Sequence, residues 1–324
     1  MIPIRDTTPS GNVPVVTYGI MALNTLVFLI SMGLSPSDTA VFVYRYGFVP
    51  AKITVPEISA WFSFSSLLFS TVSYMFLHGG LWHFVGNMWF LYIFGDNVEG
   101  FFGSLRFAGF YLVSGLASAS LHFMFNPLSN IPTIGASGSI AGVMGAYFIL
   151  YPRSKILTLI PIIIIPWFVE IPAFLFLGFW FLMQFFNAAG GQNSGIAWWA
   201  HVGGFLAGIA MVKLSSRIPR SVAGEKLKRM TARKKTPQLQ VIHPAPLGHT
   251  PDLAGEIVIS SLEAFTGTRK IVNIPWGFYN RLYRVKVPPG VKQGTKLRLA
   301  GMGRDNLKGS RGDMYLGVVI KNAI

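Results

Sequence analysis

The chain has 324 residues, of which 52% are hydrophobic and only 12% are charged, and its formal net charge is +15. A soluble globular domain usually carries about a quarter charged residues, so this composition excludes a wholly soluble protein and favours a membrane protein. The absence of cysteine excludes disulfides, thiolate metal sites and a cysteine nucleophile.

The apolar stretches predict several membrane spans. The polar, proline-rich N-terminus MIPIRDTTPSGNVPVV lacks the layout of a cleaved signal peptide. A bilayer core requires about 20 apolar residues per helix. We therefore predict six spans, at residues 16–34, 73–95, 107–125, 134–151, 169–187 and 196–214. Three prolines interrupt the apolar segment 156–172, so its first part is predicted to be extended or interfacial rather than a seventh span.

The Lys and Arg residues of the loops predict the orientation of these spans. One side of the membrane receives Arg5, Arg106, Arg153, Lys155 and the basic residues that follow Leu214. The other side receives Arg45 and Lys52 and two uncharged loops. Because cytoplasmic loops carry the excess of positive charge, we expect both termini to be cytoplasmic.

The chain after the last span separates into two parts. Residues 216–252 form a basic flexible linker rich in Pro, Ser and Thr. We interpret it as a positive-inside anchor near anionic headgroups of the lipid bilayer. Nucleic-acid binding is the weaker alternative, since no aromatic residues interleave the charges to stack on bases. We therefore expect no nucleic-acid partner.

Residues 253–324 change to short β-like runs, namely EIVIS, RKIVNIP, RLYRVKVPP, KLRLAG and DMYLGVVIK. Turn signals such as PPG, KQG and KGSRG separate them. The predicted architecture is therefore a polytopic α-helical membrane domain over residues 1–215, the linker, and a small soluble all-β, sandwich-like domain.

Polar side chains inside membrane spans usually face a neighbouring helix or a water-filled cavity. The second predicted span contains His78, His83 and Asn87, and the last two lie four residues apart on one helix face. The fourth span contains Ser137 and the sixth contains His201. Each residue alone would be weak evidence for a site.

Small residues strengthen the case for a site. Gly138 and Gly142 form a small-xxx-small stripe in the fourth span, and Gly204 and Gly208 form one in the sixth. If the two stripes face each other, the serine and histidine of these spans lie near the same end of adjacent helices. An imidazole within about 3 Å can take the proton of a hydroxyl nucleophile.

Attack of this hydroxyl on a carbonyl would create an oxyanion that needs hydrogen-bond donors. The candidates are the amide of Asn87, the imidazole of His83 and the backbone N–H of Ser137. We assign no role to His122, and we interpret Asp96 and Glu99 as capping or loop hydrogen-bonding residues at the end of the second span.

Four motifs in order, HGGLWHFVGN, GDNVEG, GASGSIAG and AHVGGFLAG, resemble those of rhomboid intramembrane serine proteases. The resemblance covers roughly residues 15–214, where FVPAKI and FLFLGFWFLMQFF are also similar to the family. It implies hydrolysis of peptide bonds in or near transmembrane helices of membrane-protein substrates, without a metal or another cofactor, in a bacterial inner membrane.

The resemblance also implies a role for each matched residue. Ser137 is the nucleophile, His201 the general base, and His83 and Asn87 line the oxyanion hole with the Ser137 backbone N–H. The supporting residues of the site are His78, Gly135 and Gly138. Some relatives place an aromatic residue at the position of Ala141 to stack on the histidine, so we expect its orientation here to come from Trp198 or Trp199.

The β-like part of the chain carries a second resemblance. SSLEAFTGTRKIVNIP, VKVPPGVKQGTKLRLAGMGR and RGDMYLGVVIK resemble the C-terminal substrate-binding region of DnaJ-type co-chaperones over about residues 255–322. This implies capture of unfolded or extended polypeptide, whereas a folded cap or dimerisation unit is the alternative. The sequence shows no J domain, so stimulation of Hsp70 is not implied.

Two other functions compete with the protease. A catalytically silent rhomboid-like protein could hold membrane clients for the chaperone-like domain, but such a protein would be free to lose Ser137 or His201. A transporter is disfavoured because no Asp, Glu, Lys or Arg lies along a plausible path through the predicted spans.

Overall fold

The computed structural model describes residues 1–8, 12–162, 165–191, 195–215, 231, 239–248, 250–276, 279–305 and 311–321. The chain divides into two compact units, Met1–Thr231 and Ala232–Ile324. The boundary falls inside the predicted linker 216–252, most of which lies outside the described residues.

The first unit is mainly helical. Its helices are α1 (Val15–Met32), α2 (Pro36–Tyr46), α3 (Ala51–Thr54), α4 (Pro56–Ser59), α5 (Phe64–Ser73), α6 (Leu81–Phe102), α7 (Ser104–Phe125), α8 (Ser137–Leu150), α9 (Ala173–Ala189) and α10 (Trp198–Ser215). Helices α1 and α6 to α10 overlap the six predicted spans. By length and apolarity α1 and α7 could cross a membrane, whereas α8, α9 and the segment Phe64–Phe76 are apolar but shorter.

The second span was predicted at residues 73–95, and this prediction begins too early. Helix α5 ends at Ser73, a 3₁₀ turn follows at Tyr74–Phe76, and α6 begins only at Leu81. The adjacent glycines Gly79 and Gly80 explain the break, because glycine disfavours helix by about 1 kcal/mol and Gly80 is fully extended. His78 therefore lies in the loop before the helix and not within it.

A three-stranded antiparallel sheet accompanies the helices. Its strands are β1 (Ile2–Asp6), β2 (Lys155–Ile162) and β3 (Ile165–Pro172), in the order β1-β2-β3. The hairpin β2–β3 confirms the prediction that the start of 156–172 is extended. Strand β1 was not predicted, because it pairs with residues about 150 positions away, with Ile2 opposite Leu159.

A buried carboxylate joins the starts of two long helices. Glu99 is 2% exposed and accepts hydrogen bonds from the N–H groups of Val16 and Thr17 at 3.0 and 2.8 Å. It also accepts from the hydroxyls of Thr17 and Ser104 at 2.8 and 2.6 Å. Because the first N–H groups of a helix lack internal partners, Glu99 acts as a cap, which confirms that interpretation.

The second unit is mainly β. Its elements are β4 (Leu239–Val241), β5 (Ala245–Pro246), β6 (Leu253–Ile259), α11 (Ser261–Thr266), β7 (Thr268–Trp276), β8 (Tyr279–Val287), β9 (Lys296–Leu299) and β10 (Met314–Ile320). They form two sheets, ordered β5-β6-β10-β9 and β4-β7-β8. The five predicted β-like runs correspond to β6 to β10, whereas β4 and β5 arise from the predicted linker.

Both sheets of the second unit contribute to one apolar core, which includes Ile257, Val272, Val285 and Leu316. Helix α11 was not predicted, although its capping box is visible in the sequence SSLE. The Ser260 hydroxyl accepts from the Glu263 N–H while the Glu263 carboxylate accepts from the Ser260 N–H.

Candidate active site

Ser137 is the first residue of α8, where the chain turns from an extended loop into the helix. Gly135, two residues earlier, has φ +123°, which side chains rarely adopt, and its N–H donates to the Tyr74 carbonyl at 2.9 Å. A Cβ on Gly135 would lie 2.7 Å from Nε2 of His83. The glycine thus allows the His83 ring to approach the serine.

His201 faces the serine from the first turn of α10. Its Nε2 atom lies 2.8 Å from the Ser137 Oγ atom, within hydrogen-bond distance. The hydroxyl can donate to this nitrogen when the ring proton is on Nδ1. The two residues can therefore form a nucleophile and base pair.

The glycine stripes hold α8 against α10. A Cβ on Gly204 would lie 1.9 Å from the carbonyl oxygen of Gly138. A Cβ on Gly208 would lie 1.9 Å from the carbonyl oxygen of Gly142. Real side chains do not make such contacts, so only glycine permits this helix separation. The predicted stripes thus face each other, with Ser137 and His201 at one end.

Of the two side chains predicted to line the oxyanion hole, the structure brings only one to the cavity around Ser137. His83 lines the cavity around Ser137. Asn87 does not line this cavity. It is 7% exposed, and its amide Nδ2 donates to the backbone carbonyl of His83 at 3.0 Å. His78 packs edge-on against the His83 ring, with ring centroids 5.2 Å apart. His78 therefore contacts the His83 ring, whereas Asn87 bonds only to the backbone of its own helix.

The side of His201 away from the serine is contacted by residues of α9 and α10. Its Nδ1 atom lies 2.8 Å from Oε1 of Gln184, which was not predicted from the sequence. The ring of Trp198 stands edge-on to the imidazole at 6.1 Å, as expected for one of the two candidate tryptophans. Trp199 instead stacks on Phe125 at 3.7 Å, so its ring is engaged elsewhere.

A cavity of about 690 Å³ is lined by Ser137, His83, His201 and Trp198. Its wall also includes Ser118 and His122 from the end of α7, to which no role was assigned from the sequence. Chain order could have identified His122, because the C-terminal end of one antiparallel helix lies near the N-terminal end of the next. Among the described residues of the wall, none is Asp, Glu, Lys or Arg.

The site thus offers a hydroxyl, an imidazole and free N–H donors at a helix N-terminus. The first N–H groups of a helix lack internal acceptors and carry a partial positive charge. Such donors can stabilise an oxyanion next to the hydroxyl. The arrangement can therefore support acyl transfer to Ser137.

Two family models match the chain. The Rhomboid domain model matches residues 65–218, and the DnaJ C terminal domain model matches residues 251–323. Both agree with the resemblances of the motifs. The Rhomboid domain implies a helical bundle in a membrane, and the second match covers the strand-rich unit.

Several curated proteins are similar to the helical part. Rhomboid-related protein 2 of Mus musculus is 31% identical over 148 residues, covering 43% of this chain and 45% of that protein. Rhomboid protein 1, mitochondrial, of Saccharomyces cerevisiae is 32% identical over 92 residues, 27% of each chain. Rhomboid protease GluP of Bacillus subtilis is 40% identical over 70 residues, 22% of this chain and 13% of that protein. The chain spans less than half the length of these relatives.

Proposed function

Since this chain is a rhomboid-domain protein that also carries a DnaJ C terminal domain, we propose that it is an intramembrane serine endopeptidase. The substrates are membrane proteins, cut in or near a transmembrane helix. The observation that carries the proposal is the 2.8 Å distance between His201 Nε2 and Ser137 Oγ.

The proposed reaction begins with the Ser137 hydroxyl. Its oxygen forms a bond to the carbonyl carbon of the scissile peptide while its proton passes to Nε2 of His201. His201 then gives this proton to the leaving nitrogen as the C–N bond breaks. Water attacks the acyl carbon while His201 takes one of its protons. The ester C–O bond then breaks, the Ser137 oxygen takes this proton from His201, and the new carboxyl end is released.

Negative charge on the substrate oxygen is stabilised by donors around Ser137. The backbone N–H of Ser137 and the His83 imidazole are the nearest candidates, whereas the Asn87 amide donates to the backbone carbonyl of His83 and does not line the cavity. Preorganised donors in a site that excludes bulk water are worth about 3 to 4 kcal/mol each in transition-state stabilisation.

We further propose six membrane spans and cytoplasmic termini in a bacterial inner membrane. Strand β1 pairs with β2, so Arg5 and Lys155 lie at the same end of the helical unit. The chain has no native cysteine, so single cysteines at Thr7 and Ser37 can be labelled from each side of oriented vesicles. Labelling of both from the same side would overturn this topology.

The competing function is a silent rhomboid-like protein that only binds membrane clients. The close pairing of serine and imidazole favours the enzyme, because binding alone requires no base next to a hydroxyl. A lone buried serine would normally bond to its own helix.

A cleavage assay separates the two functions. Purified wild type, Ser137→Ala and Ser139→Ala are incubated in detergent with a transmembrane substrate that contains helix-breaking residues. Ser139 is the matched control, because it lies in the same helix and is buried but does not line the cavity. We expect cleavage by wild type and the control only. Equal cleavage by Ser137→Ala, or no cleavage by wild type, would contradict the protease.

For the second unit we propose that it captures extended polypeptide on the cytoplasmic side, which would link proteolysis to quality control of membrane proteins. Proteins with DnaJ C terminal domains bind polypeptides. Support comes from strand β4, which lies outside the family match at 251–323. It adds in parallel to the edge of β7, with Leu239 opposite Ile271.

The contacts of residues 239–242 show how a chain segment binds at the edge of β7. The side chain of Ile242 is 3% exposed and belongs to the core of the unit. Gln240 bonds through its amide to the N–H and C=O groups of Val258. The β7 edge, which β4 occupies here, therefore pairs with a chain segment in the extended conformation, as in recognition by strand addition.

The polypeptide hypothesis is tested with full-length protein and a variant lacking residues 253–324. Binding of a fluorescent unfolded polypeptide, oligomeric state and cleavage of stable and destabilised substrates are measured. We expect the deletion to abolish polypeptide binding and to reduce the preference for destabilised substrates. Loss of oligomerisation alone would instead support the dimerisation alternative, and no change in any readout would contradict both.

A further inference from the structure

Gln184 is a buried polar residue in an otherwise apolar helix face. It lies on α9 within the sequence FLFLGFWFLMQFF and is 5% exposed. Its Nε2 group donates to the carbonyl of Trp180 at 3.3 Å, and its Oε1 atom lies 2.8 Å from Nδ1 of His201. Both ends of the amide thus have a partner.

These two contacts fix the direction of the amide. The carbonyl of Trp180 can only accept a hydrogen bond, so the NH₂ group of Gln184 must face it. The amide oxygen then faces His201. Since this oxygen is also only an acceptor, the imidazole must carry its proton on Nδ1.

The position of this proton decides whether the histidine can act as a base. With Nδ1 protonated, the lone pair of Nε2 points to the Ser137 hydroxyl at 2.8 Å. The other tautomer would place two lone pairs against each other at the Gln184 contact, and its proton on Nε2 would leave no lone pair to accept the serine proton. The hydrogen bond to Gln184 therefore selects the tautomer that can accept the serine proton.

We propose that Gln184 is the positioning residue of His201, taking the orienting role that a carboxylate plays in other serine hydrolases. The inference rests on the proposed protease function. A neutral amide suits this site, because a buried carboxylate in a membrane carries a large desolvation cost. It also accounts for Ala141, whose methyl group offers the histidine no polar or aromatic partner.

Neighbouring rings complete the support of the imidazole. Trp180 lies 5.8 Å from His201 and Trp198 lies 6.1 Å from it, measured between ring centroids. These contacts restrict the ring plane, but neither ring supplies an acceptor for the Nδ1 proton. Gln184 alone, among the described residues in contact with the histidine, provides that acceptor.

Three variants test the role. Gln184→Met keeps a similar volume without an acceptor, Gln184→Glu keeps an acceptor oxygen, and Met183→Leu is a control on the exposed side of the same helix. For each, kcat, KM, the pH dependence of cleavage and the apparent Tm are measured with wild type and Ser137→Ala alongside.

We expect Gln184→Met to lower kcat about 10- to 100-fold with KM within about twofold, because the base spends less time in the required tautomer. Gln184→Glu should retain more activity than Gln184→Met. The acid limb of its pH–activity profile should move to higher pH, because a carboxylate favours the charged imidazolium. Met183→Leu should match wild type.

The outcomes separate this inference from the proposed function. Normal kcat and an unshifted acid limb in both Gln184 variants, with cleavage that depends on Ser137, would overturn the role of Gln184 alone. If Gln184→Met fails to fold, the acid limb of Gln184→Glu decides the question. Cleavage that persists in Ser137→Ala would overturn the protease itself.

Discussion

The Nε2 atom of His201 lies 2.8 Å from the Oγ atom of Ser137, although 64 residues separate them in the chain. The contact depends on two glycine stripes that bring the backbones of α8 and α10 together. Burying a hydroxyl and an imidazole in an apolar helical bundle costs free energy, so polar residues at such positions usually have a function.

The glycine contact sets the distance between the two helices. Gly204→Ala would place a methyl group 1.9 Å from the Gly138 carbonyl oxygen, so the helices must separate. We expect a loss of about 1 to 3 kcal/mol in unfolding free energy, by analogy with overpacked cores, and at least a tenfold loss of kcat. The control Gly109→Ala, on α7, meets nothing within 4 Å and should keep full activity. Equal behaviour of the two variants would contradict this account.

Gly135 combines a positive φ with a close approach to His83. Gly135→Ala should lower kcat about 100-fold, because its methyl group would displace the His83 ring, which we propose donates to the oxyanion. Gly103 has φ +79° but open space around its Cβ position. Gly103→Ala should therefore cost about 1 kcal/mol of stability from backbone strain while preserving kcat. A similar kcat for both variants would show that strain, and not the ring contact, matters.

The two predicted oxyanion residues should differ in importance. His83→Ala should lower kcat about 100- to 1000-fold with little change in KM, as expected for a donor used only in the transition state. Asn87→Ala should lower kcat less, because the Asn87 amide bonds to the His83 backbone carbonyl and does not line the cavity. Steady-state kinetics on both variants checks the order. A larger effect at Asn87 would assign it the direct contact with the oxyanion.

Asp6 makes the stability of the helical unit depend on pH. Burial raises the pKa of Asp6 to about 6, although a hydrogen bond from the Tyr147 hydroxyl opposes the shift. The folded state thus holds the proton more tightly than the unfolded chain. This stabilisation is complete below about pH 4 and is lost as the pH rises through about 6.

The variant Asp6→Asn removes this titration. Because the side chain is partly exposed, we expect wild type to lose about 1 to 2 kcal/mol relative to Asp6→Asn between pH 4 and pH 7.5. Thermal unfolding in detergent at several pH values measures the difference. The exposed control Glu57→Gln should follow wild type. A constant gap between wild type and Asp6→Asn at all pH values would refute the assignment.

Local sequence patterns predicted much of the site but not its support. Ser137, His83 and His201 could be located because helix periodicity and motif order place them at one end of the bundle. Gln184 could not be found in this way, since its role depends on the rotation of α9 relative to α10, which no local pattern specifies. Strand β1 was missed for a similar reason, because its partner β2 lies far along the chain.

The start of α6 shows the opposite case, where a local signal was present but was outweighed. The stretch before Leu81 is apolar enough to be predicted as part of a span. The backbone preference of Gly79 and Gly80 nevertheless prevents a continuous helix, so α6 begins only at Leu81. In the second unit, short β-like runs separated by turn signals predicted β6 to β10. The pairing of β4 and β5 with them depends on contacts between the linker and the sheets.

The most direct test of the nucleophile is covalent labelling. Wild-type protein, Ser137→Ala and His201→Ala are incubated with a fluorophosphonate, and the adduct is mapped by mass spectrometry. We predict a single adduct on Ser137 of the wild type and none in either variant, because the hydroxyl reacts only when the imidazole takes its proton. An adduct on another serine, an undiminished adduct in His201→Ala, or an unreactive wild type would contradict the account.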